Sequence, residues 1–358
     1  MKPFVYWLAA SCLMVASAEA RPLAYVTVQN DEDVVVVIDT ATNSVIDSVG
    51  VGSYPHGVAV TPDRARVYVA NSLGNSVSVI ETATNTVATT IPIGGKAFGV
   101  AITPDGSFAY VANQTGNVVV VIDTATNVIV DTVPVGAAPI EVAITPDGGF
   151  AYTTNLGADS VSVIETATNT VVDTIAVGDD PLAIAMAPGG DFAYVTNNAG
   201  NSVSVIATST NTVVDTVAVG SGPEGLAVAP DGARVYVANT FGNSVSVIET
   251  ATNTVVGTVA VGTQPGDVAI TSDGGRAYVT FLLGGGVSVV DTASLTVVDT
   301  VSLPSGTRDI AIDSSAPSVL EVPTLGHAGL ALLAFLLAAV ASAALARRNR
   351  VRLPSRRG

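Results

Sequence analysis

Few side chains in this chain can move a proton, attack a carbonyl or hold a metal. From Arg21 to Leu320 there is one histidine, His56, and no cysteine; the single thiol, Cys12, lies before that stretch. A lone histidine near acids has the makings of a general base or a metal ligand. Its plainer reading is a solvated loop residue. With no second histidine and no thiolate to complete a transition-metal set, neither a metal nor a cofactor is expected. The acidic run Asp31-Glu32-Asp33 could take calcium weakly, but the ligand spacing of an EF-hand is absent and a solvated loop is the better reading. No glycine-rich loop follows a strand and opens a helix, so the glycines read as turn residues rather than a phosphate cradle. That leaves Glu224, Asp267, Arg308 and Asp309, with His56, as the groups that could converge on a polar site.

Only a repeat architecture could gather them. Tyr25, Tyr68, Tyr110, Tyr152, Tyr194, Tyr236 and Tyr278 follow one another at a step of 43 and then five steps of 42 residues. Each opens a Tyr-[Val/Thr]-[Ala/Thr]-Asn tetrapeptide or a decayed copy, as at Tyr25 and Tyr278. A fixed period of this length marks one supersecondary unit copied around or along an axis. Within a unit such as Pro223 to Gly262, four short valine-rich runs are separated by turn chemistry, including Pro230-Asp231-Gly232. No run carries apolar residues at helical spacing, so the unit reads as four antiparallel strands, one propeller blade. The first unit opens at Ala24-Tyr25 without an innermost strand, and the chain supplies a spare one at Arg308–Asp313. Three N-terminal strands and one C-terminal strand therefore complete blade 1, which removes the open seam. The expected fold is an all-β, seven-bladed propeller with four-stranded blades and closure by the two chain ends. At its outer edge Asp47, Asp131, Asp173, Asp215 and Asp299 recur, with Pro92 and Pro134, and read as guards against edge-to-edge pairing.

These tetrapeptides, the Thr-Pro-Asp-Gly turns and the Asp-Thr-Ala-Thr-Asn hairpins resemble the YVTN family of β-propeller repeats of bacterial and archaeal surface proteins. The resemblance covers Ala24 to about Ser314. It implies the fold and a cell-surface setting, and it leaves the activity open.

The two ends set the address. Residues 1–20 carry Lys2, an apolar stretch and Ala18-Glu19-Ala20, a secretory signal with cleavage after Ala20. The propeller is expected over 21–316 and a linker over 317–328. Residues 329–346 form an 18-residue uncharged stretch, about 27 Å if helical, and are expected to span a membrane. Six arginines in the tail 347–358 would stay in the cytoplasm and place the propeller outside the inner membrane. Val322-Pro323-Thr324-Leu325, ahead of Gly329-Leu330, resembles the IPTL-type sorting signal of Gram-negative bacteria, in which an exosortase-type protease or transferase is the implied partner. Val322 stands for the isoleucine of that signal and Ala328 for its usual tryptophan. A plain single-pass anchor is the alternative.

From Arg21 to Leu320 there are 28 acidic and seven basic residues, a net charge near −21. Such a domain should repel nucleic acid and bare anionic membrane. The residue ahead of each innermost strand varies completely around the ring: His56, Phe98, Ile140, Leu182, Glu224, Gly266 and Arg308. Phe98, Ile140 and Leu182 form an apolar arc, and Glu224, Arg308 and His56 a polar one. An apolar wall facing a few polar groups is the usual form of a ligand site, and neutral drift of an exposed loop is the alternative. Poverty in reactive side chains favours a non-catalytic binding scaffold for an extracellular protein or polysaccharide. An extracytoplasmic enzyme of lactonase or dehydrogenase type, working at the channel mouth, and a purely structural envelope protein are the alternatives.

Overall fold

The computed structural model describes residues 22–30 and 32–313. The signal peptide, the Val322–Leu325 motif, the 329–346 span and the arginine tail lie outside the described residues. Among those described, no helix is long and apolar enough to cross a membrane.

Seven four-stranded antiparallel sheets make up the propeller. Six blades run in simple chain order from the innermost to the outermost strand. Blade 1 is composite: Thr307–Ile312 pairs with Leu23–Val28, which is followed by Val34–Asp39 and Ser44–Gly50. The expected closure is therefore present. Asp313 N–H donates to Leu23 O at 2.9 Å, and the Asp313 carboxylate meets Arg64 of blade 2 at 2.5 Å.

Packing occurs between blades rather than within them. Each apolar cluster joins the facing sheets of two neighbours, as where Tyr152, Val161 and Val163 of blade 4 meet Ile184, Val195 and Ile206 of blade 5. The alternation of a strand puts one set of valines on each face of a sheet, so every middle strand is buried on both sides.

The tetrapeptide explains itself in this setting. All seven tyrosines are buried. Tyr68, Tyr110 and Tyr152 each donate at 2.7 Å to Oδ1 of an asparagine in the next blade's outer hairpin: Asn127, Asn169 and Asn211. Tyr278 donates to Asn43 at 2.6 Å across the closure. Burial pushes Tyr110 up to about 12, which keeps the hydroxyl a donor. The asparagine at the end of the tetrapeptide serves its own blade, since Asn155 Nδ2 donates to Ser160 and Ser162 of the neighbouring strand.

The hairpin asparagines sit in left-handed backbone, with φ between 50 and 55°, a conformation that suits this residue. Two of them also explain the rim aspartates: Asn43 Nδ2 donates to Asp299, and Asn85 Nδ2 to Asp47, each at 2.8 Å. Those two aspartates are therefore blade-to-blade acceptors as well as edge charges. One junction departs. Between blades 6 and 7 the asparagine is Leu295 and the aspartate is Gly257, and Leu295 Cδ1 lies 2.6 Å from where a Cβ on residue 257 would stand.

A chain ending at Gly306 should lose this closure, exposing the edge of Leu23–Val28 and the buried Ile310 contacts. Its Tm should fall by roughly 10 °C or more against a chain ending at Ala316, taking several kcal/mol for the lost strand. Equal melting of the two would show that blade 1 holds without its fourth strand.

Candidate functional site

Every innermost strand begins with the same irregularity. In blade 4 Pro139 pairs with Asn155, yet the next ladder pair is Val142 with Thr153, so Ile140 and Glu141 are released from the register. The same shift frees His56 and Gly57, Leu182 and Ala183, Glu224 and Gly225, Gly266 and Asp267, and Arg308 and Asp309. Bulges of this kind re-aim side chains, and here they turn two residues per blade toward the channel mouth.

The released N–H of the second residue needs a partner, and a threonine on the adjacent strand supplies one. Glu141 N–H donates to Thr154 Oγ1 at 3.0 Å, Asp267 N–H to Thr280 at 2.8 Å and Asp309 N–H to Thr27 at 3.0 Å. Those threonines in turn donate to the following blade, at Leu182 O, Arg308 O and His56 O. In blades 2, 3 and 6 the threonine is Ala70, Ala112 or Ala238, and the second bulge residue is Gly57, Gly99 or Gly225. A Cβ on Gly99 would strike the Glu141 carboxylate, and one on Gly225 that of Asp267. The glycines make room for a neighbour's acid.

The result is one cavity of about 220 Å³ at the channel mouth. It is lined by all six residues singled out in the sequence: His56, Phe98, Ile140, Leu182, Glu224 and Arg308. Asp267 and Asp309, noted beside them, line it too. Glu141, Gln114 and Leu156 complete the wall and were missed. Glu141 read as an ordinary strand residue; the threonine two places after Tyr152, paired with a non-glycine, was the available signal. His56 differs from its expected solvated state. It is largely buried, its ring stacked obliquely on Phe98 at 4.7 Å, and its Nδ1 has no partner in the protein.

The cavity's charges are tightly coupled. Asp309 Oδ2 accepts from Val58 N–H at 3.0 Å and Oδ1 from Ile310 N–H at 2.8 Å. Asp267 Oδ2 accepts from the same Ile310 N–H at 3.3 Å, which brings the two carboxyl groups together. Burial first, and the Asp309 charge second, raise both Asp267 and Glu141 well above the carboxylate range, favouring their neutral acids. Burial also raises Glu224, outweighing the opposing pull of Arg308, whose Nη1 lies 2.6 Å from Glu224 Oε1. Arg308 Nε donates as well to Gln29 Oε1 at 3.1 Å. His56 is pushed down to about 3, by burial and then by Arg308, and stays neutral.

The other candidates do not join this site. Asp31 lies outside the described residues, and Asp33 Oδ1 accepts from Tyr54 N–H at 2.9 Å. Asn117, Asn201 and Asn243 make the same loop contact in other blades, so Asp33 is a scaffold residue. Among the described residues no group of three or more His, Cys, Asp or Glu is placed to hold a metal ion.

Residues 136–294 match the lactonase family of seven-bladed β-propellers, and residues 322–349 match the IPTL-CTERM motif. Comparison with curated proteins gave no match. Solved structures similar to this chain include hydrazine synthase from Kuenenia stuttgartiensis, at 24% identity over 75% of this chain and 95% of that one, with a TM-score of 0.68. A 6-phosphogluconolactonase-type protein from Bacteroides fragilis is 18% identical over 83% and 99%, with a TM-score of 0.70. The dihydro-heme d1 dehydrogenase NirN is 16% identical over 84% and 78%, with a TM-score of 0.63. Identities this low carry the fold alone.

The expectation of a non-catalytic protein is corrected by these matches. An enzyme family matches the span that supplies Ile140, Glu141, Leu182, Glu224 and Asp267. The poverty of histidine and thiol was a poor guide, because buried carboxylates can carry acid–base work without either. The C-terminal match bears out the sorting signal around Val322–Leu325. It supports export and implies processing by a C-terminal sorting enzyme.

His56 makes a signed prediction. Its folded pKa lies below the ordinary 6.5, so the unfolded chain binds that proton more tightly. The stability it contributes is present above pH 6.5 and is lost as pH falls through the window down to about 3. His56→Gln should therefore flatten the fall of Tm with acid across that window, read by thermal melts at several pH values. Parallel curves for the two proteins would mean that His56 takes up its proton freely in the folded state.

Proposed function

We propose that this chain is an exported propeller enzyme that hydrolyses an ester or lactone at the channel mouth. One observation carries the reading: the carboxyl groups of Asp309, Asp267 and Glu141 line one cavity, where Asp309 accepts from Val58 N–H at 3.0 Å and both aspartates are drawn to Ile310 N–H, while burial raises Asp267 and Glu141 toward their neutral acids. Paired groups with separated proton affinities are how acid and base roles are divided among like residues. Asp309 takes a proton from water as its oxygen adds to the carbonyl carbon. Asp267 donates a hydrogen bond to the carbonyl oxygen as charge builds there. Collapse breaks the bond to the alkoxy oxygen, which receives the Glu141 proton. The acid and alcohol functions leave, on one molecule if the substrate is a lactone, and the proton on Asp309 returns to Glu141 through solvent. The match to lactonase propellers supports this reaction class.

Before processing, the chain is held in the inner membrane through residues 329–346 and is then passed to the cell surface of a Gram-negative bacterium. The motif match supports this route.

Purified propeller should hydrolyse simple aryl esters or lactones, and Asp309→Asn should cut kcat by on the order of a hundredfold or more. Activity should fall as pH rises through the raised range of the acids, because Glu141 must hold its proton. Undiminished turnover by Asp309→Asn would exclude this base. Intact mass of native protein from the extracellular fraction should correspond to a chain starting at Arg21 and ending near Thr324. A form ending at Gly358 and confined to the inner membrane would make the tail a plain anchor.

A further inference from the structure

The cavity's polar side is already occupied by its own partners. Arg308, its one cationic lining residue, is held between Glu224 at 2.6 Å and Gln29 at 3.1 Å. Opposite lie Phe98, Ile140, Leu156 and Leu182. Leu156 opens a single-turn 3-10 helix, Leu156–Ala158, that blade 4 has in place of the usual turn. At the position four places after the repeat tyrosine, blades 1, 2, 3, 5 and 6 carry Gln29, Ser72, Gln114, Asn198 and Thr240, and of the two leucines there, Leu282 of blade 7 and Leu156 of blade 4, Leu156 lines the cavity. The leucine therefore extends the apolar arc up to the rim on the side where Ile140 and Leu182 already stand.

Two requirements on a substrate follow, both resting on the hydrolase reading above. A phosphate or carboxylate brought to this mouth meets four carboxyl groups and a guanidinium already bonded to Glu224 and Gln29. Glu224, already paired with Arg308 at 2.6 Å, competes with an incoming anion for the guanidinium, and the anion's lost hydration counts against it as well. An apolar substituent, by contrast, gains the full value of leaving water against the leucine wall. We infer that the substrate is an uncharged ester or lactone bearing an apolar side chain, and that Phe98, Ile140, Leu156 and Leu182 set its length. This chain thereby differs in substrate charge from a propeller named for a phosphorylated gluconolactone.

The test uses γ-lactones with unbranched alkyl tails of increasing length, set against phosphorylated and unphosphorylated gluconolactone. The value of kcat/KM should climb roughly fourfold per methylene until the cavity is full. The phosphorylated sugar lactone should be at least about a hundredfold poorer than the best alkyl lactone. Leu182→Ser and Leu156→Ser should each flatten the chain-length slope, while Val214→Ser on the outer rim should leave it in place. A flat slope in the wild-type protein, or preference for the phosphorylated lactone, overturns the inference and leaves the hydrolase reading standing. Should no lactone be hydrolysed, the hydrolase reading fails by itself. Equilibrium binding of the matching alkyl lactams then decides: affinity that climbs with tail length and flattens in Leu182→Ser upholds the apolar wall, and affinity independent of length removes it.

Discussion

The hydrogen bond from a buried tyrosine hydroxyl to the next blade's hairpin asparagine sets the frame in which everything else sits. A propeller blade has no core of its own, because its apolar faces are covered only by its neighbours. Valine against valine supplies cohesion but little direction, since dispersion and hydrophobic burial are weakly directional. The tyrosine adds the direction. Its ring fills the inter-blade core, while its hydroxyl donates to an asparagine held in left-handed backbone at the end of a four-residue connection. Repeated round the ring, this fixes the angle between blades and brings the innermost strands to a common axis.

Convergence at that axis is what makes chemistry available to so plain a sequence. Each bulge releases two residues, and in blades 3 and 5 both are small or apolar, while the other five each add one or two polar side chains. Where the second is acidic, the neighbouring blade is glycine or the acid reaches the next strand's N–H. Carboxyl groups from blades 1, 4 and 7, far apart in sequence, then share one small volume. Burial and the neighbouring Asp309 raise Asp267 and Glu141, so acids that would be ionised on the surface are driven toward their neutral form. The same crowding shapes what can enter. Carboxyl groups and Arg308 stand on one side of the cavity, and Phe98, Ile140, Leu156 and Leu182 on the other.

Much of this was legible in the residues. The tyrosine period gave the number of blades, and the strand count at the two ends gave the closure, because both are local patterns repeated many times. The ring positions at His56, Phe98, Ile140, Leu182, Glu224 and Arg308 stood out for the opposite reason: they vary where the scaffold does not. What was illegible depends on neighbours one or more blades away. His56 looked like a loop residue, and its burial comes from Phe98, 42 residues later. Glu141 passed for a strand residue because the bulge is invisible until the ladder is drawn. Even so, the chain holds a trace of it: threonine accompanies a side chain at the second bulge position, and alanine accompanies glycine. The activity itself was misjudged, since counting reactive residue types ignores what burial does to common ones.

The junction between blades 6 and 7 limits how freely such a ring can be rearranged. Leu295 rests over Gly257, where other junctions place an asparagine against a tyrosine and, at two of them, an aspartate. A blade ending in aspartate could not be followed by the leucine-bearing hairpin without steric conflict. Blades that look interchangeable by sequence thus carry matched edges. Shuffling, duplication or transplantation of repeats in this chain must keep the leucine-bearing hairpin of blade 7 behind a glycine-bearing edge such as that of blade 6.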